Sequence, residues 1–187
     1  MRIIANLKAK AYMKYSLLLL VAFFVQFTQI QAQSERLIES HFQKMTNARE
    51  YTLAVAKLMP DTLYSFKPVE GEMSFREQLI HISQNLYWLS STYLAEKPNP
   101  LTETKEHLLL LDKKAVMELV HSAYDYALLS ISKVDTTTLS KELKFFAGNK
   151  DKYQFLNLIE DHQTHHRAQL IVYLRLNGIK PPEYIGW

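Results

Sequence analysis

Apolar side chains recur every three or four residues in four long segments of the chain, over residues 34–59, 74–95, 112–132 and 153–176. That period places the apolar positions of each segment on one side of an α-helix. The links between the segments are of medium length. The longest, over 134–151, carries a few apolar residues that we expect to form an irregular or strand-like cover. The pattern predicts an all-α fold, a four-helix bundle.

Signals for helix ends support the same division. Pro60 follows the first segment, and a proline stops a helix because it lacks the amide hydrogen and clashes with the preceding turn. The second segment opens with Ser74 and Glu77, spaced as in a capping box. Asp112 is placed to cap the third helix, and the fourth runs to a C-terminal cap at Asn177-Gly178. The four helices are therefore predicted with their ends.

The fourth helix has histidine on the line that should face the core. Along this line the steps of three and four residues pass through Phe155, Ile159, His162, His166, Gln169, Tyr173 and Leu176. A buried imidazole without a partner costs on the order of 1–3 kcal/mol, so two of them one turn apart suggest a shared partner. Their i, i+4 spacing directs both rings at one patch, which suits a metal ion. In the metal-free alternative, the two rings bond to side chains of neighbouring helices.

The other histidines are weighed by their place on each helix. His81 lies beside the apolar stripe of the second helix, and it becomes a third ligand only if that helix packs against the fourth. His41 is expected to make ordinary packing or surface contacts, because no second ligand lies one turn away, and His121, next to the apolar stripe of the third helix, is expected to be structural or exposed. His107 lies in a polar, proline-marked loop and is expected to face solvent.

Composition narrows the chemistry. The 187 residues include no cysteine, which excludes disulfides, thiolate metal sites and a cysteine nucleophile. Any metal must therefore be held by histidine and carboxylate. Only four glycines are present, and no glycine-rich phosphate loop is found, so nucleotide chemistry is not expected. The length suits one domain.

The N-terminus is typical of a secretory signal. Four basic residues and an apolar run over 17–25 precede a plausible cleavage point at Ala32, and Met13 is an alternative start. A retained membrane anchor is the weaker alternative, because the run is short for a bilayer. We expect residues 1–32 to be removed and 33–187 to be exported, with no stable anchor. Removing the leader takes four of the 22 basic residues and none of the 19 acidic ones, leaving a net charge of −1 and no basis for nucleic-acid binding.

Two motifs give the chain a resemblance to the DinB/YfiT-like family over essentially the whole segment 33–187. The first is Q-L-I-H-I at 78–82, and the second is H-x-x-x-H-R-x-Q at 162–169. The resemblance implies a four-helix bundle that binds one divalent metal through His81, His162 and His166. His165 then flanks the site, and Ala168 stands where many members have glycine.

The resemblance also implies a choice of functions. A three-histidine site with an open position suits zinc, nickel, iron or manganese. The enzyme hypothesis is a metal-dependent hydrolase or a thiol-dependent transferase acting on an unidentified small molecule, because the resemblance implies relatives that are thiol-dependent transferases and isomerases. Gln169, one turn after His166, is a candidate for a hydrogen bond that supports a ligand, with Glu160 and Asp161 less well aimed. The alternative is a non-catalytic or stress-related bundle with a structural metal, and a homodimer is left open.

Overall fold

The computed structural model describes the backbone of residues 2–186 and the side chains from residue 13 to residue 186. Its α-helices are α1 (Arg2–Leu58), α2 (Phe75–Leu89), α3 (Lys105–Leu108), α4 (Lys113–Ser132) and α5 (Lys152–Leu176). Four of them are long, as a bundle requires, and the described residues contain no strand. An isolated antiparallel bridge between Leu143 and Lys150 is the nearest feature to one, in the predicted cover segment.

The described chain divides into two units, one up to Leu37 and one from Ile38 onward. The first unit is helical, and its large apolar side chains from Leu17 to Val25 are exposed. One stretch near the N-terminus is long and apolar enough to cross a membrane, and a signal sequence has the same character. The signal peptide of 1–32 stays a prediction.

The caps lie where the sequence predicts them. The Ser74 side chain accepts a hydrogen bond from the Glu77 amide, and the Glu77 carboxylate accepts one from the Ser74 amide, which completes the capping box of α2. Asp112 caps α4 through the amide of Ala115. These bonds satisfy amide groups that have no partner within the helix, and so they fix the register at which each helix begins.

In the second unit, α2 packs against both α4 and α5. The part of α1 from Ile38 onward also contacts α4 and α5. Thr52 of α1 is hydrogen-bonded to Tyr124 of α4, and His41 of α1 to Glu160 of α5. The arrangement encloses one core. Its largest fully buried side chains include Tyr64, Tyr124, Phe75, Phe155, Met45 and Met59.

Three local features differ from the sequence expectation. The second helix does not stay α-helical to residue 95, because its last turn, Ser90–Leu94, widens to a π-helix. The polar loop before α4 contains the short helix α3. Leu176, placed on the inward line of the fourth helix, is 59% exposed, because the line leaves the core in the final turn of α5.

Candidate metal centre

The packing of α2 on α5 brings three histidines together. His81 projects from α2, and His162 and His166 project from successive turns of α5. One ring nitrogen from each lies within 4.8 Å of the others, and Nε2 of His81 is 3.1 Å from Nε2 of His162. His166 is buried, and the other two are half-buried. The condition under which His81 becomes a third candidate ligand is thus met.

Two amide oxygens determine the tautomer of His166. Its Nδ1 lies 2.6 Å from Oε1 of Gln78 and 3.0 Å from Oε1 of Gln169. An amide oxygen can only accept, so Nδ1 carries the hydrogen and donates it. The lone pair of the neutral ring is therefore on Nε2, which is left for a metal.

Gln78 is itself held from the other side. The hydroxyl of Tyr173 donates to the carbonyl of Met73 over 2.9 Å, so it accepts from Nε2 of Gln78, at 3.4 Å. That contact turns the oxygen of Gln78 toward His166. Sequence reasoning identified Gln169 and missed Gln78. One feature of the sequence could have pointed to Gln78: it lies three residues before His81, on the same side of α2.

The three rings are held in the neutral form. Burial, followed by the charge that neighbouring His166, His81 and His165 would carry, lowers the pKa of His162 to about 3. Burial also lowers the pKa of His166, to about 4, with His81 and His165 adding to the effect. The pKa of His81 is lowered by burial and by Lys105. Neutral imidazole is the form that a metal ion binds.

The donor set fits a transition metal. Metal–nitrogen bonds of roughly 2.1 Å at tetrahedral angles place ligand nitrogens about 3.4 Å apart. The 3.1 Å separation of His81 and His162 is near that value. Three neutral nitrogen donors suit zinc, nickel, iron and manganese alike, so the residues permit the ion without selecting one. The same contacts, His81 with His162 and His166 with Gln78, are those that a metal-free core would use.

A cleft of about 340 Å³ opens beside the cluster. His81 forms part of its wall, together with Trp88 and Leu101. The remaining lining side chains are polar or charged: Gln84, Asn85, Asn99 and Glu103. A small molecule in this cleft would lie against the imidazole of His81, which is the arrangement that a substrate-accessible metal site requires.

The remaining histidines and nearby carboxylates have other contacts. Nδ1 of His41 is 2.6 Å from Glu160, so neither joins the cluster. His121 is exposed and lies 3.1 Å from Asp125. His165 and His107 are exposed, and Asp161 lines a different cleft, between α1 and α5. Among the described side chains, no carboxylate joins the three histidines.

The family model described as "DinB family" matches residues 29–185. The chain belongs to the DinB family. The match covers all four long helices of the second unit and both histidine motifs. Among curated proteins, no significant match is found.

Solved structures of other DinB-like proteins have the same fold. A DinB-like protein from Bacillus subtilis is 20% identical, with a TM-score of 0.66 over 79% of this chain and 97% of the other. One from Bacillus cereus is 19% identical, with a TM-score of 0.65 over 78% of this chain and 96% of the other. At this identity the likeness concerns the fold alone. The four-helix prediction is confirmed to that extent.

Proposed function

We propose that this DinB protein is exported and binds one divalent transition metal through His81, His162 and His166, to act as a metal-dependent hydrolase or transferase. The observation that carries the proposal is the convergence of three neutral ring nitrogens from two helices, one of them held by Gln78. Two amide oxygens, of Gln78 and Gln169, lie within hydrogen-bond distance of Nδ1 of His166. They are the support that metal-ligating histidines usually have.

The adjoining cleft supports a catalytic reading over a purely structural one. A structural metal is normally enclosed by four protein ligands, whereas a catalytic one keeps a position open. Only three ligands are supplied here by the described residues, and His81 borders open space. When bound, the ion supplies Lewis acidity, which lowers the pKa of a water or thiol and polarises a carbonyl.

The side chains of the cleft would bind and orient the substrate. Gln84 and Asn85 lie within one turn of His81 on α2 and offer both donors and acceptors. Trp88 and Leu101 supply apolar contact. Glu103 is the one carboxylate of the cleft lining, and it is the residue able to hold a proton there. A small polar molecule with an apolar portion fits this lining.

The second candidate is a non-catalytic bundle in which the ion joins helices. It is favoured by the position of the cluster, because His81 on α2 and His162 and His166 on α5 would be held together by one ion. Substrate turnover separates the two candidates, since only the catalytic one predicts it. Metal binding is common to both.

The test of the metal site is elemental analysis of protein purified without chelator. We expect close to one divalent ion per chain in the parent and none in the His162→Ala/His166→Ala variant. His165→Ala is the matched control, because this exposed histidine lies between the two on the same helix, and its metal content should equal that of the parent.

A parent that stays free of metal after reconstitution, or a double variant that retains it, would refute the site. With metal established, a screen of hydrolase and thiol-transfer substrates follows. Activity that is lost with the ion and restored on reloading identifies an enzyme, and its absence leaves the joining role.

A further inference from the structure

Arg167 is a buried cation with no carboxylate partner among the described side chains. The residue is 7% exposed, and it follows His166 on α5. His166 points to Gln78 on α2, whereas Arg167 reaches Thr52 on α1, so the two lie on different sides of the helix. Within residues 13–186, no carboxylate lies at ion-pair distance from the guanidinium. Buried arginines are normally paired, so this one calls for an explanation.

The neighbours of Arg167 accept hydrogen bonds but carry no charge. Its Nη1 donates to the amide oxygen of Gln163 and, at 3.5 Å, to the hydroxyl of Thr52. Its Nη2 donates to Thr164 over 3.2 Å, and its Cζ lies 5.2 Å from the ring centre of Tyr51. None of these bonds uses Nε, which together with Nη2 forms the edge of the guanidinium that can hold a carboxylate by two parallel bonds.

Arg167 also lines a cleft of about 330 Å³ between α1, α5 and the C-terminal tail, which is the segment after α5 up to residue 186. Lys44 lies in the same wall and adds positive charge, although it is paired with Glu160 over 2.6 Å. Asp161 is the opposing charge of the lining. Because Glu160 is held by Lys44 and His41, it does not neutralise Arg167.

The other wall of the cleft is aromatic and apolar. Tyr184 and Ile185 of the tail line it, and the ring of Tyr184 meets that of Tyr51 edge-on at 6.0 Å. The volume is at the small end of ligand pockets. A ring or short alkyl group would fit between the tail and α1 while its charged end reached Arg167.

We propose that the cleft bounded by Arg167, Tyr51 and the C-terminal tail is a binding site for a small organic carboxylate, on the side of α5 away from the three histidines. The guanidinium edge binds the carboxylate, and the two tyrosines contact its apolar part. The site needs no metal ion. Its occupant is a ligand distinct from whatever enters the cleft beside His81.

The test is a protein-observed NMR titration of the isolated, ¹⁵N-labelled protein, made with and without metal. Benzoate is the probe, benzamide is its uncharged counterpart of the same shape, and inorganic phosphate is a second anion. We expect saturable benzoate shifts at the amides of Ala168 and Gly186, and at least tenfold weaker binding of benzamide. Phosphate should bind more weakly than benzoate, because it makes no apolar contact.

Variants separate the site from a general charge effect. Asp161→Asn removes the negative charge of the cleft and should tighten benzoate binding about threefold. Glu118→Gln changes the net charge equally on an exposed part of α4 and should leave the affinity unchanged. Arg167→Lys keeps the charge without the two-donor edge and should weaken binding about tenfold.

Three outcomes would overturn the proposal: no saturable benzoate binding to the parent, equal binding of benzamide, or binding of phosphate without benzoate. An unchanged affinity in Asp161→Asn would also overturn it, and that variant keeps the test valid should Arg167→Lys not fold. Failure here leaves the proposed metal site untouched, because the titration made without metal tests carboxylate binding alone.

Discussion

The amide of Gln78 orients the imidazole ring of His166 in the histidine cluster. It is fully buried, and it connects Tyr173 on one side with Nδ1 of His166 on the other. A ring whose Nδ1 hydrogen is held presents Nε2 in a fixed direction, which raises its value as a ligand. Gln169 provides a second acceptor at the longer distance of 3.0 Å. We therefore expect Gln78 to orient the ring of His166 more strongly than Gln169 does.

Replacing Gln78 with methionine should weaken zinc binding by about 10- to 100-fold, because His166 loses its shorter hydrogen bond while the volume is kept. The measurement is competition with a chromophoric chelator at neutral pH. Circular dichroism confirms that the variant is folded.

Gln169→Met is the graded control for that prediction. It should weaken zinc binding less than Gln78→Met does, since the 2.6 Å hydrogen bond from Nδ1 of His166 to Gln78 is kept. An affinity equal to the parent in both variants would mean that neither amide positions the ligand.

Sequence could single out the three histidines and Gln169, on the same helix as His166, but not Gln78. His162 and His166 disturb an apolar line, and this disturbance is visible without a partner. Gln78 is on another helix, 88 residues away from His166, and its role depends on which helices pack together. Helical periodicity describes one helix at a time, so it cannot reveal such a pair.

At the scale of helices, the N-terminus of α2 is held by a charged group. The amide and hydroxyl of Ser74 hydrogen-bond to Glu77, and these two bonds lower the pKa of the Glu77 carboxyl to about 2. Burial acts in the opposite direction, and Lys67 lowers the pKa further. The unfolded value is near 4.5. A folded-state pKa below the unfolded one gives stability that is complete above about pH 4.5 and is lost as the pH falls toward 2.

Glu77→Gln should therefore reduce the fall in the free energy of unfolding as the pH drops from 4.5 to 2. The glutamine keeps the capping box but cannot ionise, so the parent's advantage at neutral pH should disappear between pH 4.5 and 2. Because solvent partly screens this carboxylate, that advantage is on the order of 1–2 kcal/mol. Urea unfolding at a series of pH values measures it. Glu70→Gln, at an exposed carboxyl of the preceding link, should follow the parent, and parallel curves for Glu77→Gln and parent would refute the cap's contribution.

Helix ends were predicted better than the segments between them. Ser74, Asp112 and Gly178 act on their own neighbours in sequence, so local rules suffice. The π-helical turn at Ser90–Leu94 and the short helix α3 depend on how the chain closes over the bundle. Tyr93, for example, stacks on Phe155 of α5 with ring centres 4.0 Å apart. Such tertiary contacts override the local helix propensity, and the residues of the turn alone do not reveal them.

At the scale of the whole molecule, we propose that the first unit directs export. Its large apolar side chains over residues 17–25 are exposed, as suits a signal segment that passes through a secretion channel. We predict that the protein recovered from the extracytoplasmic fraction begins at Gln33. Intact mass and N-terminal sequencing measure this, with Ala32→Asp as a variant expected to block cleavage. A retained leader in the exported parent would indicate an anchor instead.

The placement of the three histidines along the chain has a consequence for how the protein responds to proteolysis. Nε2 of His81 and of His162 meet although 81 residues separate them. An ion held there acts as a removable cross-link that closes this long loop, and closing a loop restricts the unfolded chain. A protease nick in the exposed link between α2 and α4 would then leave two fragments joined by the metal as well as by core packing, and a chelator would weaken their association.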